Sequence, residues 1–124
     1  RTNSKEKVGK AAVVRTDRRL AVAGYLVRVR FDSPATAEFV CAYLTSSHGL
    51  KVRQGLAKAA VNQANINATQ LRAIRIAHPT ENLKIAFAAR ISVVESERAA
   101  IQRALAVEDE LFISLQSRAF RGEL

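Results

Sequence analysis

The spacing of apolar residues changes along this chain, and each change predicts a different element. Residues 1–10 are charged and polar and read as a flexible lead-in, and Ala11-Ala12-Val13-Val14 reads as a short strand. After the turn at 15–19, Tyr25, Val27, Val29 and Phe31 alternate with Leu26, Arg28 and Arg30 within the segment 20–31. A repeat of two is that of a strand with one apolar face. Ser33-Pro34 predicts a helix start, with the hydroxyl as cap and the proline at the first helical position. Phe39, Val40, Tyr43 and Leu44 share one face of that helix, and Gly49 is expected to stop it. Residues 50–67 fit neither period and read mostly as loop. Asn67 with Gln70 three positions later predicts a capping box and a one-turn helix. Residues 73–77 then read as a strand with Ile74 and Ile76 on one face.

Pro79 is a hinge, and Thr80 is the expected cap of a final helix, with Glu81 favourably placed against the helix dipole. From there Phe87, Ile91, Val94, Arg98, Ile101, Leu105, Glu108, Phe112 and Leu115 step by four and three without interruption. Seven of the nine are apolar, which is the seam of a coiled coil sustained over four heptads. A helix from 81 to about 117 would be roughly 55 Å long. The expected fold class is α+β, a small mixed α/β head over residues 1–78 followed over 79–124 by a hinge and one long coiled-coil helix.

Charge sharpens the division. The chain of 124 residues carries a net charge of +9, but residues 1–78 hold fourteen Lys/Arg against four Asp/Glu, while residues 79–124 hold six against seven. A basic first part suits a polyanion, because neutralised phosphates release condensed counterions. The balanced second part suits a protein partner. With 48% apolar residues the chain can build a core, and with no Trp and few other aromatics that core must come from Ala, Val, Leu and Ile. A lone Cys41 argues against a disulfide framework and against a cysteine-rich zinc site. No apolar run approaches the roughly 20 residues that cross a bilayer, so a soluble, cytoplasmic protein without a membrane partner is expected. Arg1 in place of an initiating Met suggests a trimmed or fragmentary chain.

The chemistry-bearing residues point to binding rather than catalysis. The first part has only Glu6, Asp17, Asp32 and Glu38 as carboxylates, without the acidic cluster that holds Mg²⁺ for phosphodiester cleavage. His48 and His78 read as surface or cap residues, and no glycine-rich phosphate loop or methyltransferase cofactor motif is present. No catalytic residue, metal ligand or bound cofactor is therefore expected in this chain. Arg15, Arg18 and Arg19 lie in a turn. Lys51, Arg53 and Lys58 accompany Gln54, Asn62 and Gln63 in the polar stretch that follows. Arg can bond guanine O6/N7 and Asn or Gln adenine N6/N7 in bidentate fashion, so that stretch has the chemistry of a base reader. Arg28 and Arg30, projecting together from the alternating segment, are assigned to phosphates or to another part of the domain.

Taken in order, Asn62-Gln63-Ala64-Asn65-Ile66-Asn67, Leu71, Ile74, Ile76, Pro79 and the long helix ending Leu111-Phe112-Ile113-Ser114-Leu115-Gln116-Ser117-Arg118-Ala119-Phe120-Arg121-Gly122-Glu123-Leu124 resemble one target-recognition domain and its spacer helix in the specificity subunit of type I restriction-modification enzymes. The likeness runs from Gly9-Lys10 through Gly24-Tyr25-Leu26 to the C-terminal residues. It implies a non-catalytic subunit that directs methyltransferase and restriction subunits to a split double-stranded DNA target. It also implies that S-adenosylmethionine, ATP and Mg²⁺ are used on those partner subunits and not here.

The chain differs from that pattern in three places. The strand-to-helix run His78-Pro79-Thr80-Glu81-Asn82-Leu83 has one proline and no glutamine, the head is short, and there is a single spacer helix. A truncated or half-length specificity subunit is the expectation. Its nine seam positions should form a helix-pairing interface, and the isolated chain should be an antiparallel homodimer. The alternative is a non-catalytic homodimeric coiled-coil scaffold with a generic polyanion-binding head.

Overall fold

The computed structural model describes residues 2–3, 7–60 and 63–123. The elements are β1 (Thr2–Asn3), α1 (Pro34–Thr45), α2 (Ser47–Leu56), β2 (Lys58–Ala60), β3 (Gln63–Asn65), α3 (Ala68–Arg72) and α4 (Glu81–Phe120). The protein is mostly helical, and its strands are two or three residues long. The chain divides into two units, Arg1–Ala88 and Ala89–Leu124.

Within the first unit α1 begins as the sequence predicts. The Ser33 hydroxyl accepts from the Thr36 N–H at 3.1 Å, and Pro34 occupies the first turn. The helix does not run to Gly49, however. Ser46 breaks it, its N–H donating to the carbonyls of Ala42 and Tyr43 at 3.0 and 3.1 Å. The Ser46 hydroxyl then accepts from the Gly49 N–H at 3.1 Å and so starts α2. Gly49 is buried against the end of α1, where a Cβ would lie 2.1 Å from the Tyr43 carbonyl oxygen. Its glycine serves close helix approach rather than helix termination.

The stretch expected to be loop is instead α2 followed by two strands of an antiparallel sheet ordered β1-β3-β2, with Ala59 opposite Ala64. Three-residue strands of Lys, Ala, Gln and Asn carry no alternation to reveal them. Asn67 and Gln70 form the predicted capping box, Oδ1 accepting from the Gln70 N–H at 2.8 Å and Gln70 Oε1 from the Asn67 N–H at 3.0 Å. The Gln70 amide also donates to the Leu56 carbonyl at 2.7 Å, which ties α3 to the end of α2.

The core is small. Val8, Ala64 and Ile66 are its buried centre, with Ala57 and Leu71 packed against it. Val8 is fully buried, so the lead-in expected to be flexible contributes a core side chain.

The three strands predicted at 11–14, 20–31 and 73–77 do not form a ladder. All three segments are irregular. Among the described residues, the backbone bond made within 20–31 is that from the Leu26 N–H to the Ala23 carbonyl, 2.9 Å. Alternation marks which face is apolar, but a strand needs a neighbouring backbone to satisfy its polar groups. Tyr25 and Val29 remain 63% and 51% exposed. The sheet half of the α+β expectation is thus reduced to the three short strands.

The opening of α4 belongs to the first unit. Phe87 meets Phe39 of α1 edge-to-face, with ring centroids 5.8 Å apart. The second unit is the remainder of α4 and its cap. There the Glu123 N–H returns to the Arg118 carbonyl at 2.9 Å, and Arg121 pairs with Glu123 at 2.8 Å.

Candidate functional site

The best-built polar cluster in the first unit joins the starts of α1 and α4. Ser33, already capping α1, donates its hydroxyl to Glu81 Oε1 at 2.6 Å. Lys84, one turn into α4, places Nζ 2.6 Å from Glu81 Oε2 and 2.8 Å from Thr36 Oγ1. Lys84 is only 4% exposed, and a buried ammonium requires such a partner set. The Lys84 ammonium, followed by the Ser33 hydroxyl, holds the Glu81 carboxyl below its ordinary pKa. The cluster borders an open cleft of about 400 Å³ lined also by Arg30, Asp32, Phe39 and His78. Lys84 and Glu81 neutralise each other, and both oxygens of the carboxylate are engaged, so the cluster works as a clamp between two helix starts. Sequence reasoning read Thr80 and Glu81 as a cap and dipole partner and missed Lys84 altogether. The i,i+3 spacing of Glu81 and Lys84 is a local signal for their pair, whereas the reach of Lys84 to Thr36 spans 48 positions and no local pattern signals it.

The basic residues assigned to DNA fall into distinct groups. Arg15 makes a bidentate pair with Glu38 of α1, Nε to Oε1 at 2.6 Å and Nη2 to Oε2 at 2.8 Å, so its charge is balanced within the unit. Arg18 and Arg19 are exposed on the irregular segment before α1, as is Arg28, and Lys51 is exposed on α2. Gln54 is half-buried on α2. Lys58 lies in β2 and Gln63 in β3, while Asn62 lies outside the described residues.

Arg53 is a correction. It is 4% exposed, its Nε donating to the Leu44 carbonyl at 2.8 Å and its Nη1 to the Val8 carbonyl. Burial lowers its pKa from the ordinary arginine value, yet an arginine remains cationic. A guanidinium buried in the fold and bonded to two of its carbonyls is not presented to a base edge. Arg53 ties the N-terminal turn to the end of α1.

His48 lies in α2 rather than at the end of α1, and its ring stands edge-to-face with Tyr43, centroids 5.7 Å apart. Among the described residues no group of three His, Cys, Asp or Glu is placed to hold a metal ion. No helix among them is long and apolar enough to cross a membrane.

The seam positions begin in the first unit with Phe87, half-buried against Phe39. In the second unit Ile91 is half-buried, whereas Val94, Arg98, Ile101, Leu105, Glu108, Phe112 and Leu115 are exposed. No protein-family model, curated protein or solved structure matches the chain.

Proposed function

We propose that the chain is the DNA-binding specificity subunit, or half-subunit, of a type I restriction-modification system in the cytoplasm. The observation that carries this reading is the uneven charge, with fourteen Lys/Arg against four Asp/Glu before Pro79 and near balance after it. Exposed Arg18, Arg19, Arg28 and Lys51 keep much of that excess at the surface of the first unit. On this reading the first unit is a mixed α/β target-recognition head, and the alternating segment 20–31 belongs to its DNA-facing part. The seam of α4 is a helix-pairing interface, and methyltransferase subunits attach through the helical region. S-adenosylmethionine, ATP and Mg²⁺ act on the methyltransferase and restriction subunits, and this chain contributes recognition without bond making or breaking.

The test is the salt dependence of duplex binding by the full chain. If about six basic residues neutralise phosphates, log K falls against log salt with a slope near −5. A flat response rejects DNA binding. A steep slope with equal affinity for every sequence, persisting when methyltransferase subunits are added, would leave the generic polyanion-binding scaffold as the better description.

A further inference from the structure

Uncovered apolar side chains of the first unit concentrate on the irregular segment before α1, where Leu20, Val22, Tyr25, Leu26 and Val29 are all exposed. At its middle the Leu26 N–H returns to the Ala23 carbonyl at 2.9 Å, so Gly24 and Tyr25 form the tip of a tight turn. The turn carries Tyr25 and Leu26 in succession, 63% and 52% exposed. A Cβ built on Gly24 would meet nothing within 4 Å, so the tip is open to approach. An apolar pair held in water at a turn tip favours a partner that covers it, and the surrounding charge says which kind. Arg18 and Arg19 precede the turn and Arg28 and Arg30 follow it, all four exposed. Asp17 and Asp32 are the carboxylates of the same stretch. Arg28 is three residues from Tyr25 and Arg19 five from Gly24, and a chain that rises at most about 3.5 Å per residue keeps both within roughly 18 Å of the tip. An apolar tip between cations fits a polyanion with an apolar interior, which is a stacked duplex.

We propose that this turn is a wedge: on duplex DNA, Tyr25 and Leu26 enter a base step from the minor groove, part its stacking and kink the helix, while Arg19 and Arg28 hold phosphates on either side. The inference rests on the DNA-binding reading and deepens it, adding the readout of DNA shape to any contact with base edges. Pyrimidine–purine steps unstack most readily, so the wedge selects them without a hydrogen bond to a base.

The test compares binding of the full chain to two duplexes of one sequence, one intact and one with a single mismatched pair. The bend of each is followed by energy transfer between dyes at its ends. A mismatch lowers the cost of unstacking in advance, so the wild type binds the mismatched duplex about tenfold more tightly and bends both. Tyr25→Ala and Leu26→Ala each reduce that preference to about twofold or less and diminish the bend, whereas Leu26→Met keeps both. Arg28→Ala weakens binding to the two duplexes equally and leaves their ratio unchanged. Circular dichroism like that of the wild type establishes that the variants are folded, as expected for side chains already in solvent. A wild type with a steep salt dependence but neither mismatch preference nor bend overturns the wedge and leaves DNA binding standing; a flat salt response overturns both. Alanine variants that keep the wild-type preference also overturn it. If they abolish self-association of the chain while binding both duplexes unchanged, the turn is a protein contact and the proposal falls.

Discussion

At the scale of single residues, the two buried cations decide more than the exposed ones. Arg53 supplies donors to the carbonyls of Leu44 and Val8 inside the fold. Arg53→Ala should therefore lower the stability of the first unit by about 2–4 kcal/mol, the combined cost of a cavity and orphaned acceptors. The midpoint of urea unfolding measures this. An unchanged midpoint with altered DNA preference would return Arg53 to the role of base reader. Lys84 depends on Glu81 in a similar way, and here the dependence is on pH. The folded pKa of Glu81 is depressed, so its contribution to stability is complete above the ordinary carboxyl value of about 4.5 and is lost as pH falls through the lower folded value. Denaturation midpoints compared between pH 6 and pH 3 should show less acid sensitivity in Glu81→Gln than in the wild type. Because Glu81 is exposed to solvent, the difference should also shrink as salt is added. Equal acid sensitivity in the two proteins would remove Glu81 from the clamp.

At the scale of elements, local chemistry was legible and pairing was not. Ser33-Pro34 and the Asn67/Gln70 box act within three residues of themselves, so their sequence signatures are also their mechanisms. Ser46 and Gly49 show where that locality ends. A serine can cap any helix, and only the close return of α2 onto Tyr43 and Leu44 makes Gly49 necessary. Gly49→Ala should destabilise the first unit by about 2 kcal/mol, overpacking outweighing the gain of about 1 kcal/mol in helix propensity. Gly55, in the same helix, has nothing within 4 Å of its would-be Cβ. Gly55→Ala should accordingly stabilise by up to about 1 kcal/mol, and thermal melts of the two variants should move in opposite directions. Segment 20–31 marks the opposite limit. Its alternation is strong, yet backbone pairing comes from another segment, which the pattern of one segment does not specify.

At the scale of the whole molecule, the division of charge is the property most open to experiment. If exposed Arg28 meets a phosphate, Arg28→Ala should weaken binding evenly on all duplexes and reduce the magnitude of the salt slope by about one; a loss confined to one base pair would make it a reader instead. The sequence by itself determined the basic first part, the caps of α1 and α3, and the long α4 with its seam, because each depends on composition or on neighbours within a turn or a heptad. It did not reveal that Val8 is core, that Arg53 is buried while Arg28 is exposed, or that Lys84 reaches Thr36. Those depend on residues brought together from 45 and 48 positions away. Whether a cation is solvated or buried is fixed by which backbone and side-chain oxygens converge on it, and in this chain only tertiary packing brings those oxygens together.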